Sequence, residues 1–308
     1  YMISHILKHC GKIVYDGGNI DNTATLPLLD IVKKDEIVVL ELSSWQLQGF
    51  HESRISPNIA IITNFYPDHL NYYDSLEQYW FDKTAIYQYQ NPASYDICIA
   101  SASLKELIKD APCKPIFISL DTQHSQLLPE LYTPGIHTKE NAILAFCVAQ
   151  ELGCQNEKIG EALAKFKGPH GRLEHLQDYV GRIVYNDNSS TTPDATLMAL
   201  NALEGPIVLL VGGTAKVSDY QKLANVINER SIRICALQEK DTHLLTQLVN
   251  PALISWCDNP SDWIDNAFGL SKAGDTILLS PAFASFGAFF ANVYEREGRF
   301  LEDLKRYI

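Results

Sequence analysis

The chain has 308 residues, of which 46% are hydrophobic and 20% charged, and its formal net charge is −12. This composition is typical of a folded globular protein, and the length fits two domains of roughly 100–200 residues each. The negative charge repels nucleic acids and anionic membranes, so it argues against both as partners. An anionic substrate would have to be held by a few local Lys, Arg or backbone N–H groups.

The cysteines indicate a reducing compartment. Seven of them are scattered along the chain and none forms a C-x-x-C pair, so neither a disulfide framework nor a zinc site is expected. No apolar run approaches the roughly 18 residues that a membrane helix needs, and no signal peptide opens the sequence. We therefore expect a cytoplasmic protein.

The first half of the sequence predicts alternating helices and strands. It opens on YMISHILKHCGKIVYDGG, which reads as the middle of a helix followed by a strand, with no cap before Tyr1; we expect residues upstream of it. Short β-branched runs predict strands, and longer amphipathic stretches predict helices. The predicted strands are 12–15, 36–42, 58–65, 95–100 and 115–120, and the predicted helices are 75–89, 138–153 and 157–166. This alternation favours a mostly parallel sheet.

A second α/β series follows a stretch rich in glycine and proline. The segment KGPHGRLEHL, residues 167–176, is typical of a domain boundary. Beyond it, strands are predicted at 182–187, 205–213, 232–237, 252–257 and 275–282. The sequence therefore predicts two α/β domains.

Polar loops follow the first three predicted strands. They read DGGN, ELSSWQ and NFYPDH, and because ligands bind outside the carboxyl ends of parallel strands, we expect these loops to lie side by side. Glu41 ends the second strand, where a carboxylate can bind a hard cation such as Mg²⁺. His69 follows the third strand, and the next helix carries Lys83. Each residue alone is more often structural than functional, but the three together predict a cleft.

Three further loops stand at the strand ends of the second half. Asp187 follows a strand and precedes a hydroxyl cluster at a helix N-terminus, which suits a ribose or an anion. Simple helix capping by Thr191 or Thr192 is the alternative explanation of that cluster. The segments LLVGGTAK, with Lys216, and ILLSPAFASF, with Ser285, complete the predicted edge.

The order of these motifs resembles the motif order of one known family. The series GGNI, ELSSWQL, TNFYPDHL, the helix with Lys83, GRLEHL, YNDNSSTTPDAT, LLVGGTAK and LLSPAFASF is similar to that of the Mur ligases, ATP-dependent peptide-bond-forming enzymes of peptidoglycan synthesis. ELSSWQL favours the glutamate-adding branch. The resemblance implies a central, mostly parallel-sheet ATP-binding domain over residues 1–169 and a Rossmann-like glutamate-binding domain over 170–308.

The resemblance also implies a metal site and a reaction. Glu41 would hold Mg²⁺, His69 would bind a second metal ion, and Lys83 would be carbamylated, which turns an ammonium group into an anionic oxygen ligand. ATP would phosphorylate a substrate carboxylate, and the amine of glutamate would attack the acyl phosphate.

Substrate contacts follow from the same resemblance. They are ATP contacts at Asn141, Arg172 and Asp187, UDP-N-acetylmuramoyl-L-alanine contacts at Asn19, Ser43 and Gln46, and glutamate contacts at Thr191, Lys216, Ser285 and Phe286. The partners would thus be small molecules, and the protein is expected to be a monomer.

Two departures from the family pattern leave alternatives open. A G-x-x-G-K-[ST] phosphate loop would precede the first helix, and nothing precedes Tyr1, so we expect either an inactive fragment or a non-catalytic remnant that binds a nucleotide-sugar. Ser189 stands where many relatives carry a lysine, so L-glutamate stays open beside the expected D-glutamate. Another superfamily ligase, such as a folylpolyglutamate synthase, is the alternative enzyme.

Overall fold

A computed structural model describes residues 1–20, 25–70, 72–121 and 123–308, which divide into two compact units. The first unit comprises Tyr1–Pro67, Tyr72–Tyr132 and Ile136–Phe166, and the second comprises Asp68–Asn71, Thr133–Gly135 and Lys167–Ile308. None of the helices within the described ranges is long and apolar enough to cross a membrane. The assignment of 1–169 to ATP binding and of 170–308 to glutamate binding stays a prediction.

The first unit alternates helices and strands, as the sequence predicts. Its elements are α1 (Met2–His9), β1 (Val14–Gly18), α2 (Leu28–Ile31), β2 (Ile37–Glu41), α3 (Ser44–Ser53), β3 (Ile59–Ile62), α4 (Leu76–Gln88), β4 (Ile97–Ser101), β5 (Ile116–Ile118), α5 (Ile136–Glu151) and α6 (Asn156–Lys165). The three long helices α4, α5 and α6 begin within two residues of their predicted starts; the Ser75 cap of α4 and the one-sided apolar face of α6 are local signals.

The strands of the first unit form two parallel ladders. β1 pairs with β2, and β3 pairs with β4, which pairs with β5. Within the described residues no ladder joins β2 to β3. The expectation that the loops after the first three strands lie side by side assumed one sheet; β1 and β2 are paired neighbours, whereas β3 belongs to the other ladder. Strand order depends on crossover connections, which hydrophobic periodicity does not encode.

The second unit is built on one six-stranded sheet. Its elements are β6 (Glu174–Tyr179), β7 (Arg182–Asn186), α7 (Pro193–Ala202), β8 (Ile207–Val211), α8 (Gln221–Glu229), β9 (Arg233–Leu237), α9 (His243–Thr246), β10 (Ile254–Cys257), α10 (Pro260–Leu270), β11 (Thr276–Leu279) and α11 (Val293–Leu304). The strand order is β10-β9-β8-β11-β7-β6. Only β6 is antiparallel to its neighbour within this sheet. β6 was not predicted, since its segment is polar and follows a glycine-rich turn.

Alternating residues of the central strands bury two cores. Leu209 and Leu278 contribute to a cluster with residues of α7 and α8, whereas Leu210 and Ile277 contribute to a second cluster with residues of α10 and α11. Successive side chains of a strand point to opposite faces, so helices cover both sides of the sheet. The parallel strands β7, β8, β9 and β11 consequently end at one edge, where the loops of the second unit gather.

Candidate functional site

Glu41 ends β2 beside the loop that follows β1. Gly18 is its partner in the parallel ladder, and the backbone N–H of Asn19 donates to the Glu41 carbonyl oxygen at 2.7 Å. Gly18 has a φ of +97°, and a Cβ there would overlap the backbone of Glu41, so only glycine fits. The Glu41 and Asn19 side chains are exposed. The structure thus brings these two predicted residues together at one strand edge.

Ser43 and Gln46 form the N-terminal cap of α3. The Gln46 N–H donates to Ser43 Oγ at 3.3 Å, and the Ser43 N–H donates to Gln46 Oε1 at 2.9 Å. This reciprocal capping box satisfies two N–H groups that a helix start would otherwise leave unpaired. The cap therefore explains the polar residues after Glu41 without a ligand, and a substrate contact for this pair stays a prediction.

Lys83 lies on α4, half-buried, with its Nζ 4.8 Å from the centroid of the Tyr79 ring. The ring face attracts the ammonium group through its quadrupole. The preceding residue, Asp82, is buried and accepts hydrogen bonds from Tyr73 Oη at 2.9 Å and from Gln48 Nε2 at 2.7 Å. These bonds fix the rotation of α4 against α3 and hence the position from which Lys83 projects.

His69 and Lys216 both lie close to Asp68 in the second unit. Asp68 Oδ1 accepts from the His69 N–H at 2.7 Å and lies 3.6 Å from Lys216 Nζ. His69 Nε2 lies 3.5 Å from Asp68 Oδ2, and His69 adopts a left-handed φ of +56°. Across the described residues, no group of three or more His, Cys, Asp or Glu side chains is arranged to hold a metal ion.

Asp187 is buried at the end of β7. Its Oδ1 accepts from the Leu173 N–H at 3.0 Å, and its Oδ2 accepts from Ser280 Oγ at 2.7 Å. Ser280 Oγ also lies 3.0 Å from Thr196 Oγ1 on α7. Burial raises the pKa of Asp187 to about 6, although these hydrogen bonds act in the opposite direction. The carboxylate therefore joins β7 to β11 and to the turn before β6, and an ATP contact stays a prediction.

The other two predicted ATP contacts are exposed. Asn141 lies on α5 in the first unit, and Arg172 lies in the turn before β6 in the second. In that turn Glu174 Oε2 accepts from the Gly171 N–H at 3.0 Å and lies 2.6 Å from His170 Nδ1. The turn that presents Arg172 is thus fixed by a carboxylate of β6.

Ser285 and Phe286 lie in the loop after β11, which crosses the loop after β8. The Thr214 N–H donates to the Ala284 carbonyl at 2.9 Å, and the Ala284 N–H donates back to the Thr214 carbonyl at 2.8 Å. Ser285 is buried, whereas Phe286 is 61% exposed. Thr191 is half-buried just before α7, whose N-cap is Thr192. The second unit therefore places Thr191, Lys216, Ser285 and Phe286 in loops of one sheet edge.

Three charged residues near these loops were not predicted as site residues. Arg296 is fully buried on α11 and donates to Asn188 Oδ1, to the Asn188 carbonyl and to the Phe283 carbonyl at 2.7, 2.9 and 3.0 Å. Glu239 and Asp241 follow β9. The sequence could have indicated Glu239 and Asp241, because they follow a predicted strand at the carboxyl edge of the sheet. Nothing in the local sequence marks Arg296 as buried.

Comparison with known proteins gives a family match. The Mur ligase middle domain model matches residues 1–142. A UDP-N-acetylmuramoylalanine--D-glutamate ligase of Christiangramia forsetii is 30% identical over 332 aligned positions, covering 99% of this chain and 73% of that protein. The enzyme of the same name from Thermoanaerobacter sp. (strain X514) is 28% identical, covering 97% of this chain and 70% of that protein.

Solved structures share the fold. MurF ligase from Thermotoga maritima in complex with ADP has a TM-score of 0.73 at 17% identity, covering 100% of this chain and 77% of that one. UDP-N-acetylmuramate-alanine ligase MurC from the same organism has a TM-score of 0.67 at 19% identity, covering 99% and 72%. The fold likeness agrees with the sequence relatives, and the chain belongs to the Mur ligase family.

Proposed function

We infer that this protein is an ATP-dependent amide ligase that adds D-glutamate to UDP-N-acetylmuramoyl-L-alanine through an acyl phosphate. The observation that carries this function is the likeness, at 28–30% identity over nearly the whole chain, to ligases named for that reaction. The substrates are small molecules, and we extend the proposal to a monomeric protein of the cytoplasm.

The proposed metal centre draws on Glu41, His69 and Lys83. Mg²⁺ prefers oxygen ligands, and the Glu41 carboxylate is exposed at a strand end with no hydrogen bond to other described residues, so its chemistry fits that ion. Lys83 Nζ would react with CO₂ to give a carbamate and a released proton. When bound, Mg²⁺ would neutralise negative charge on the phosphates of ATP.

The proposed nucleotide and glutamate contacts would position the two substrates for the reaction. Arg172 is exposed and can approach a phosphate, whereas Asp187 is buried and acts by holding the strand end from which neighbouring residues project. In the second unit, Lys216, Thr191 and the loop of Ser285 and Phe286 offer a cation, a hydroxyl and backbone N–H groups to the two carboxylates of glutamate. Such fixed donors orient the amine for attack on the acyl phosphate.

Phosphate release from ATP tests this function. The product of the complete reading frame would be assayed with Mg²⁺, UDP-N-acetylmuramoyl-L-alanine and either D- or L-glutamate. We expect release that requires D-glutamate. Phosphate release with a different amino acid would favour another ligase of the superfamily. No phosphate release with any amino acid would favour a nucleotide-sugar-binding remnant.

Lys83 provides a sharper test of the metal centre. Lys83→Ala should abolish turnover, and short carboxylic acids should restore part of it by replacing the carbamate oxygens. Lys139→Ala, on α5 of the same unit, is a matched control that removes an exposed lysine. Turnover of Lys83→Ala at the wild-type rate would exclude Lys83 from the centre.

A further inference from the structure

The loop after β9, residues 238–242, contacts both loops that carry predicted glutamate-binding residues. Asp241 Oδ2 accepts from the Ala215 N–H at 2.9 Å, and Ala215 precedes Lys216. Glu239 Oε1 accepts from the Ala288 N–H at 3.1 Å, two residues after Phe286. One short loop therefore holds the loop after β8 with one carboxylate and the loop after β11 with another.

Close packing fixes the distance between these loops. Besides the paired backbone bonds of Thr214 and Ala284, Thr214 Oγ1 donates to the Phe286 carbonyl oxygen. A Cβ on Gly287 would lie 2.6 Å from Glu239 Oε1, so the carboxylate lies directly against the backbone of the loop after β11. Displacement of the Glu239 side chain would therefore release the backbone next to Phe286.

Glu239 is a buried carboxylate. The residue is 8% exposed, and among the described residues its Oε2 atom has no hydrogen-bond partner. Burial raises the pKa of Glu239, while the hydrogen bond from the Ala288 backbone N–H and the positive charge of the nearby Arg296 favour its ionised form. An N–H bond to a carboxylate is stronger than one to a neutral acceptor.

We propose that Glu239 and Asp241 are positioning residues, which hold the loops of Lys216, Ser285 and Phe286 in the geometry that binds the amino-acid substrate. The proposal rests on the function proposed above, because it concerns the same pocket. Neither residue touches the reacting atoms in this scheme. Their effect is on the affinity for glutamate, not on that for ATP.

Steady-state kinetics of the encoded enzyme test the proposal with three variants. Glu239→Ala should raise the KM for glutamate about 10-fold and change the KM for ATP less than about 2-fold. Glu239→Gln should recover most of the affinity, because its Oε1 atom can still accept from the Ala288 N–H. Asp275→Ala is the matched control: Asp275 is 2% exposed and accepts from the Lys272 N–H at 3.1 Å, but it precedes β11 at the opposite edge.

Amide hydrogen exchange separates this proposal from the proposed function. Glu239→Ala should speed exchange of residues 284–290 about 10-fold, and Asp275→Ala should leave them unchanged. If wild type shows no glutamate-dependent turnover, the proposed function fails, whereas exchange still decides whether Glu239 orders the loop. Equal effects of Glu239→Ala and Asp275→Ala on the KM for glutamate would overturn the positioning role. Unchanged hydrogen exchange of residues 284–290 in Glu239→Ala would overturn it as well.

Discussion

Replacing Asp187 by asparagine should make the second unit more stable at neutral pH. The folded pKa of about 6 lies above the ordinary value of 3.8, so between these values the folded chain binds a proton that the unfolded chain has lost. The free energy of unfolding therefore falls as pH rises through this window. At ~1.36 kcal/mol per pKa unit, the difference between these two pKa values corresponds to about 3 kcal/mol. An asparagine side chain does not titrate in this range, so the Asp187→Asn variant lacks this contribution to the pH dependence.

Urea unfolding between pH 4.5 and 8 measures the effect, with hydrogen exchange of β7 and β11 amides to assign it to the second unit. Relative to wild type, Asp187→Asn should gain about 2 kcal/mol as pH rises from 4.5 to 7.5, because about 1 kcal/mol of the full difference has already developed at pH 4.5. Ser280→Ala should move the titration to higher pH, since the Ser280 hydrogen bond lowers the Asp187 pKa. A difference between Asp187→Asn and wild type that does not change with pH would refute this reasoning.

Three further substitutions, with Gly205→Ala as a control for one of them, test packing and capping by thermal unfolding. Arg296→Ala should cost about 3–5 kcal/mol, because it leaves buried oxygens without a donor; a loss below about 1 kcal/mol would contradict the buried network. Gly213→Ala should cost about 2–4 kcal/mol through overlap with the Ala284 carbonyl at a φ of +135°, and Gly205→Ala, with open space around it at +79°, should cost less. Ser43→Ala should lower stability by about 1 kcal/mol, and an unchanged melting temperature would argue against the cap.

The sequence predicts local elements well and long-range bonds poorly. The run EIVVLEL identifies β2, and the cap residue Ser75 marks the start of α4, since both signals lie within a few neighbouring residues. The segment of β6, Glu174–Tyr179, is polar and pairs as an antiparallel strand, so no apolar run marks it. Its place in the sheet depends on β7, which the pattern of β6 alone does not contain.

The same distinction applies to the candidate site. Asp187 was correctly placed after a strand, but its hydrogen bonds come from Leu173 and Ser280, the latter 93 positions away. Glu239 could have been noticed at a strand end, although its contact with Ala288 is also remote in sequence. Periodicity therefore locates the edge on which a side chain lies, whereas its partners depend on the tertiary structure.

The central position of β11 has a consequence for folding during synthesis. β8, β9 and β10 can pair in the order in which they leave the ribosome, and β6 can pair with β7 as a hairpin. The strand that joins these two groups is β11, which pairs with both β7 and β8 and ends at Leu279. Contacts of such high sequence separation form slowly, because a long loop must close first. The nascent second unit therefore exposes two unjoined sheet fragments to chaperones until β11 has been synthesised.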